Sequence, residues 1–312
     1  QTIEKIKTAG DPNPFKLVIF PEGFREGREL RIIYPAAARP LIKRLFAEPP
    51  LDSLANLFEV YLIYIASADS GVSRLGSPKN TYFGVYWDKS PAISEKNIWK
   101  LDALRYNLLP DYDPVRDSSL LLLQDKRFGG GSYIQERLSL SPMWHPLAPI
   151  IVNHEMGGHI LGSSPDGSVL GDETPVDFYD ELGDYFPEWI FPNVTQKSKA
   201  QMAVIKYTDV KWNEFITTGI ELPSRWEEKN RGKTGLFAID STGARNLYIP
   251  ATQCIMRANY NDFDKVCQNQ IRTAVKKRYH IKFLAADLDW DGSVGRDDLK
   301  LFEKTFGSKA GD

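Results

Sequence analysis

The stretch SSLLLLQD, residues 118–125, restricts the fold of this chain more than any other segment. A continuous apolar run of this kind is typical of a central strand in a sheet. FEVYLIYIAS at 58–67 alternates like a core strand, and PFKLVIFPEGF at 14–24 predicts a short buried strand before a turn. The aromatic-rich NTYFGVYWD at 80–88 predicts a further strand. These strands need a layered fold that covers the sheet.

Helical patterns accompany the strands. Apolar residues at helical spacing run through residues 28–46, although two prolines interrupt them. PLAPIIVNHEMGGHILG at 146–162 predicts a helix packed beneath the sheet. The second half, 163–280, is irregular and rich in Pro, Asp and aromatic residues, with further helices predicted at about 197–206 and 260–278. The pattern therefore indicates the α/β class.

Composition excludes several classes of function. The 312 residues are 42% hydrophobic, which suffices for one large or two modest domains. A net charge of −2 gives no electrostatic reason to expect binding to nucleic acid or to an anionic membrane. No apolar run approaches the ~20 residues of a membrane span. The polar N-terminus, QTIEKIKTAGDPNP, lacks a signal-peptide core, so either the protein is intracellular or a leader is absent from this chain.

The stretch HEMGGHILG, residues 154–162, carries the strongest chemical signal. The chain has four histidines, and two of them, His154 and His159, lie here with Glu155 directly after the first. In a zinc hydrolase two imidazoles hold the metal, and a glutamate takes a proton from zinc-activated water and passes it to the leaving amine. These residue types in this order therefore predict a hydrolytic zinc site.

The spacing between the two histidines requires an unusual helix. On a regular α-helix, residues five apart point roughly 140° away from each other. A single π-bulge would bring them back to one face, and Gly157 and Gly158 lie where the backbone must deform. In an ordinary helix this glycine pair costs about 2 kcal/mol relative to alanine. We therefore predict a π-bulge; the alternative is a buried helix whose histidines are satisfied by hydrogen bonds.

The two cysteines, Cys254 and Cys267, are separated by twelve residues. They form either one local disulfide, which favours an oxidising compartment, or two reduced core cysteines. Their spacing is too wide for a zinc knuckle, and no histidine lies near them in the sequence.

Four segments, in order, resemble the IgA-peptidase-type metallopeptidases, or igalysins, a metzincin-like family. These are LFAEPPLDSLANLFEVYLIYIASADSGVS (45–73), LLLLQDKRFGGGS (120–132), VNHEMGGHILG (152–162) and QCIMRANYNDFDKVC (253–267). The resemblance implies a zinc-dependent endopeptidase with a twisted mixed sheet, an active-site helix and an irregular C-terminal subdomain. It also implies protein substrates. The usual helix of the family has two spacers, so this chain has a one-residue insertion.

The resemblance implies specific roles for the residues of HEMGGHILG. His154 and His159 become zinc ligands, and Glu155 becomes the general base. The third ligand of the family lies beyond the helix in an acidic segment. Counting without gaps from the second histidine selects Asp166, which we prefer; the string LGDET (170–174) makes Asp172 the alternative, through an insertion of six residues.

Other positions gain structural roles from the same resemblance. Gly162 ends the helix, Met256 forms an apolar floor beneath the metal without binding it, and Gly157 and Gly158 shape the helix. Cys254 and Cys267 become a local staple near the site. The edge at 129–131 could offer backbone groups to an extended substrate.

DLDWDGSVGRDD, residues 287–298, predicts a calcium loop of the EF-hand type. Its odd-position carboxylates converge on one ion, and Gly292 permits the sharp turn. The predicted calcium ligands are Asp287, Asp289, Asp291, Ser293 and Asp298. Loop and following helix resemble half a dockerin repeat, so the segment is either a calcium-stapled cap or a docking site for a cohesin-type partner. Aspartate at position 12 suits millimolar extracellular calcium, which favours a secreted or cell-surface protein.

We therefore expect three units: an N-terminal catalytic subdomain (1–162), a C-terminal catalytic subdomain (163–279) and a calcium module (280–312). The competing hypothesis is a catalytically inactive peptidase-like protein that binds a partner or acts in cell-surface assembly. An intact Glu155 argues against that hypothesis, because a binding protein has no use for a base at this position.

Overall fold

A computed structural model describes residues 1–174, 188–240, 245–257 and 262–280. The predicted calcium loop at 287–298 lies outside the described residues, so its five ligands stay a prediction. Within the described part of the chain, no helix is both long enough and apolar enough to cross a membrane.

The described residues form strands, α-helices and two π-helical segments. The strands are β1 (Thr2–Lys7), β2 (Phe15–Glu22), β3 (Phe58–Tyr64), β4 (Ser73–Arg74), β5 (Tyr86–Trp87), β6 (Pro91–Ala92), β7 (Ser118–Leu123), β8 (Gly131–Tyr133), β9 (Leu138–Pro142), β10 (Thr195–Gln196), β11 (Phe237–Ala238) and β12 (Leu247–Ile249). The α-helices are α1 (Tyr34–Leu45), α2 (Leu51–Leu54), α3 (Glu95–Leu108), α4 (Ala148–Val152), α5 (Lys199–Met202) and α6 (Lys265–His280). The π-helical segments are Glu29–Ile33 and Asn153–Leu161, and short 3-10 turns are Ala55–Leu57, Tyr207–Asp209, Asn213–Phe215 and Glu228–Asn230.

The main sheet has six strands in the order β1-β3-β2-β7-β9-β8. The inner four strands are parallel, whereas β1 and β8 pair antiparallel at the two edges. The α/β class and the mixed sheet are therefore confirmed. The predicted strand at 118–125 is β7, which lies inside the sheet between β2 and β9.

Both faces of the sheet are covered by apolar side chains. Leu120 and Leu122 of β7 point into a core shared with α1, α4, the π-helix and α6. Leu121 and Leu123 point into the opposite core, which is shared with α3. All four leucines are fully buried. Successive side chains of a strand point to opposite faces of the sheet. Both faces are covered here, so every side chain of the apolar run is removed from water, which stabilises the strand.

The predicted strand at 80–88 is wrong over most of its length, since only Tyr86–Trp87 is a strand. The buried carboxylate of Glu22 accepts hydrogen bonds from the backbone N–H groups of Phe83 at 3.0 Å and Val85 at 2.8 Å. These donors are thus satisfied by a side chain at the end of β2, so the segment does not need a neighbouring strand.

The second half packs as small elements against the same core. β10, β12 and β11 form a three-stranded sheet. Predicted helices at 197–206 and 260–278 correspond to the short α5 and to α6. Ile255, Met256 and residues of α6 share one apolar core with the π-helix, which places the segment after β12 beneath that helix. The domain boundaries at 162 and 279 stay predictions.

Candidate metal centre

The histidines lie on a helix that changes its winding. Helix α4 continues into a nine-residue π-helix, Asn153–Leu161. With more than four residues per turn, positions five apart return to one face. The Nε2 atoms of His154 and His159 are consequently 3.1 Å apart. The structure therefore contains the π-helical geometry that the histidine spacing requires. The π-helix covers nine residues and is longer than the single bulge that the sequence predicts.

Backbone carbonyl groups fix the orientation of both imidazole rings. The Nδ1 atom of His154 lies 2.9 Å from the carbonyl oxygen of Ile255, and that of His159 lies 3.0 Å from the carbonyl oxygen of Leu170. A carbonyl oxygen only accepts, so each Nδ1–H donates. In the neutral rings, both Nε2 atoms then turn lone pairs toward each other, an arrangement that needs a cation between them.

Asp172 completes a group of three potential ligands. Its Oδ1 lies 3.1 Å from Nε2 of His154 and 3.5 Å from Nε2 of His159. One ligand atom from each of the three residues lies within 4.8 Å of the others. Two imidazole nitrogens and one carboxylate oxygen form the kind of three-residue set that holds zinc in hydrolases and leaves a position open for water or substrate.

Asp166, the preferred third ligand, does not join this group. Its carboxylate accepts hydrogen bonds from Lys277 Nζ at 2.6 Å and from the hydroxyl of Ser168 at 2.7 Å. The turn after Gly162 carries Asp166 toward α6. The chain returns to the histidines only at Leu170, whose carbonyl oxygen accepts a hydrogen bond from His159. The structure therefore places the alternative, Asp172, beside the imidazoles.

The charges of the centre favour a cation. Burial raises the pKa of Asp172, but hydrogen bonds from His154 and His159 outweigh this effect and hold the pKa well below its usual range. Burial lowers the pKa of His154, yet the hydrogen bond with Asp172 and the charges of Glu155 and Asp172 raise it to about 9. The group therefore attracts positive charge, either a proton or a metal ion.

Glu155 lies beside the group and is held by the edge of the sheet. Its side chain is buried, and Oε2 accepts a hydrogen bond from the hydroxyl of Ser132 in β8 at 2.7 Å. A Cβ atom at Gly130 would stand 2.5 Å from Glu155 Cγ and 2.6 Å from Oε1. The glycine-rich turn before β8 therefore makes room for the glutamate, a role that FGGGS at 128–132 did not reveal in the sequence.

A cavity of about 190 Å³ opens over these groups. Its polar lining comes from His154, Glu155, Asp172, Thr174 and Arg257, and its apolar lining includes Phe128, Ile151 and Ile255. The cavity therefore gives access to both the ligand group and the glutamate.

The glycine pair is explained by close packing beneath the helix. A Cβ at Gly158 would stand 2.2 Å from Sδ of Met256, and one at Gly157 would stand 3.3 Å from Cζ of Phe263. Met256 is fully buried there and is not part of the ligand group. Gly162 ends the π-helix with an ordinary φ of −79°, and a Cβ on it would approach the carbonyl oxygen of Gly158 to 2.3 Å. Space, and not a left-handed backbone, therefore requires glycine at this helix end.

The cysteines are close together but not bonded. Cys254 and Cys267 are buried free thiols, and their Sγ atoms lie 3.7 Å apart. Both cysteines are therefore free thiols in this structure, and the disulfide stays the alternative.

With the fold and the centre described, comparison with known proteins assigns the family. The sequence profile of the family IgA Peptidase M64 matches residues 3–238. The chain therefore belongs to this peptidase family. The matched range includes the main sheet, the π-helix and Asp172, and it ends before Met256. No curated protein matches the chain.

Proposed function

We propose that this protein is a zinc-dependent endopeptidase that hydrolyses protein substrates. The observation that carries the proposal is the convergence of His154, His159 and Asp172 next to the buried Glu155. The ring orientations support it, because both Nδ1 atoms are committed to backbone carbonyls and only Nε2 faces the centre. Membership of a metallopeptidase family supports the same chemistry.

Each residue has a distinct task in this proposal. When bound, zinc would polarise a carbonyl oxygen and make water acidic enough to attack at neutral pH. His154, His159 and Asp172 would hold the ion. Ser132 holds Oε2 of Glu155, so we assign Oε1 to proton transfer: it would take a proton from the attacking water and deliver it to the leaving nitrogen.

The edge of the sheet offers a place for an extended substrate. Among the described strands, β8 pairs only with β9, and its Ser132 reaches Glu155 directly. A peptide that added to β8 as a further strand would pass the catalytic group, with hydrogen bonds to the backbone and no dependence on its sequence. Backbone recognition of this kind supports protein substrates in general and does not point to immunoglobulin in particular.

Metal analysis combined with a cleavage assay tests the proposal. Glu155→Gln should keep its zinc and lose cleavage of an unfolded protein substrate, whereas His159→Ala should lose this zinc and the cleavage together. Glu214→Gln, which changes an exposed glutamate, is the matched control and should retain both. Unchanged cleavage by Glu155→Gln would remove this residue from the mechanism. Zinc without any cleavage by the unchanged protein would favour the peptidase-like binding protein.

We also propose that the segment 287–298 binds calcium and that the protein acts outside the cytoplasm. The regular spacing of the aspartates supports the first statement, and the side-chain length at position 12 supports the second. Calorimetric titration of the full chain with Ca²⁺ should show one site that disappears in Asp287→Ala. Full calcium binding by that variant would refute the assignment.

A further inference from the structure

A second group of potential ligands lies in the second half of the chain, and none of its members lines the cavity. Glu173, Cys254, Asp264 and Cys267 each place one ligand atom within 4.8 Å of the others. Both sulfurs and the whole of Glu173 are inaccessible to solvent. We refer to these four residues as the buried cluster. From this arrangement we infer that the buried cluster is a structural metal site for a thiophilic divalent ion such as Zn²⁺.

The distances suit tetrahedral coordination by two sulfurs and two oxygens. The Sγ atoms of Cys254 and Cys267 are 3.7 Å apart. With Zn–S bonds of about 2.3 Å, a regular tetrahedron separates two sulfurs by about 3.8 Å. The Sγ atom of Cys267 lies 3.2 Å from Oε1 of Glu173 and 3.8 Å from Oδ2 of Asp264. Small movements would therefore complete the shell, and the thiolates would select zinc over calcium or magnesium.

Neighbouring groups hold the cluster in place. Oδ1 of Asp264 accepts hydrogen bonds from the backbone N–H groups of Val266 and Cys267 at the start of α6. The amide of Asn193 donates to Oε1 of Glu173 at 3.0 Å. Oε2 of Glu173 is completely buried, and among the described residues no N–H or hydroxyl group donates to it. The carboxyl groups of Glu173 and Asp264 can hydrogen-bond to each other only when a proton lies between them. A buried carboxylate oxygen without a donor costs free energy that an ion would recover.

The position of the buried cluster indicates a structural role beside the metal centre. Glu173 directly follows Asp172, and its N–H donates to the carbonyl of Met256 at 2.8 Å. Cys254 lies two residues before Met256, and Cys267 lies in the first turn of α6. An ion here would tie the segment at Glu173 to the segments at Cys254 and at the start of α6, and it would secure both Asp172 and Met256. It would do so whether or not the protein is a peptidase.

X-ray absorption at the zinc edge tests the inference, because a sulfur ligand distinguishes this site from the histidine centre and from the aspartate loop. The full chain, purified under reducing conditions and loaded with zinc, should show sulfur scattering at about 2.3 Å. His159→Ala should retain that signal. Cys267→Ser and Asp264→Asn should each bind one zinc ion fewer per chain than the unchanged protein, whereas the exposed control Asp209→Asn should not.

Cobalt loading gives an independent measurement on the unchanged chain and does not depend on the folding of any variant. Co²⁺ at the buried cluster should produce an intense thiolate-to-metal charge-transfer band. Absence of both the sulfur scattering and this band from a correctly folded, reduced and metal-loaded chain would overturn the inference. A disulfide between Cys254 and Cys267 in the protein as isolated from its native source would overturn it as well.

Discussion

The Nε2 atoms of His154 and His159 lie 3.1 Å apart although five positions separate the residues along one helix. An α-helix would direct these side chains to faces roughly 140° apart. The π-helix Asn153–Leu161 removes that angle, and the adjacent Gly157 and Gly158 let it lie directly on the segment that contains Met256. The insertion that distinguishes this motif from its usual form is thus accommodated by winding, and both imidazoles stay on one side.

Gly158→Ala should destabilise the protein through a clash with Met256. The added Cβ would stand 2.2 Å from Sδ of Met256, so the side chain beneath the helix must move. Overpacking of this kind costs about 1–3 kcal/mol. Denaturant unfolding of the metal-free protein, in the presence of a chelator, would measure this loss. Gly10→Ala, whose Cβ would find its nearest neighbour at 3.8 Å, should change the unfolding free energy by less than about 0.5 kcal/mol.

A double-mutant cycle would identify the partner in that clash. Gly158→Ala should cost less in a Met256→Ala background, because the space that its Cβ needs is then available. The coupling should fall in the range of about 0.5–3 kcal/mol that is usual for residues in contact. Strict additivity of the two changes would show that Met256 is not what excludes a side chain at this position.

Asp172→Asn and Asp166→Asn distinguish the two candidate third ligands. Asp172 lies 3.1 Å from His154, so its amide replacement should weaken zinc binding more than ~100-fold, since loss of a group that merely orients a ligand already costs about 10–100-fold. Asp166 is half exposed and pairs with Lys277, so Asp166→Asn should leave zinc affinity unchanged. Competition with a fluorescent chelator measures both affinities, and the reverse order of effects would return the role to Asp166.

Gly130→Ala should lower the rate of cleavage without removing zinc. Its Cβ would stand 2.5 Å from Cγ of Glu155 and push the carboxylate out of place. Because general base catalysis contributes about 10²–10⁴-fold, we expect kcat to fall at least ~100-fold. Ser132→Ala removes the hydrogen bonds of one hydroxyl to Oε2 and to the backbone carbonyl of Glu155, and it should cause a smaller loss because it introduces no clash. Zinc content measured on the same preparations separates these effects from metal loss, and a Gly130→Ala enzyme with full activity would contradict the packing argument.

Local sequence patterns predict those features of the structure that are determined by residues close together in the chain. The apolar run of β7 predicts a strand with both faces buried, since all its side chains must leave water. The five-residue spacing of His154 and His159, with a glycine pair between them, predicts a wider helix because two ligands of one ion must share a face. In both cases the constraint lies within a dozen residues of chain.

Features that depend on distant contacts could not be predicted in the same way. The choice between Asp166 and Asp172 depends on where the turn after Gly162 returns, which is determined by the bond between His159 and the carbonyl of Leu170. Aromatic residues at 80–88 favour a strand. In the structure, however, the carboxylate of Glu22 at the end of β2 accepts hydrogen bonds from backbone N–H groups of this segment, which a neighbouring strand would otherwise do. The buried cluster joins residues more than eighty positions apart, so the spacing of the cysteines alone gave no sign of it.

Arg137→Met should destabilise the protein, because this arginine ties the end of the π-helix to the main sheet. Its guanidinium is 2% exposed and donates to the carbonyl oxygens of Asp117 at 3.0 Å and Ile160 at 3.1 Å, and also to the hydroxyls of Ser118 and Ser163. Burial, together with the nearby charge of Arg278, lowers the pKa of Arg137 well below its usual value. Methionine would fill the volume of the arginine but would leave the carbonyl of Asp117 and the hydroxyl of Ser118 without this donor. The carbonyl of Ile160 would keep the hydroxyl of Ser163 as a donor, and that hydroxyl would keep Arg278.

Two buried acceptors lose this donor at a cost of about 1–3 kcal/mol each, so we expect Arg137→Met to lower the unfolding free energy by about 3 kcal/mol. Arg137→Lys keeps a hydrogen-bond donor, but one amino group cannot reach all four acceptors, so its loss should be intermediate. Arg74→Met replaces an exposed arginine on β4 and should stay within about 0.5 kcal/mol of the unchanged protein. Hydrogen exchange of the amides in 153–161 provides the local measurement. Faster exchange there in Arg137→Met than in Arg74→Met is expected, and equal protection would show that the π-helix does not depend on this anchor.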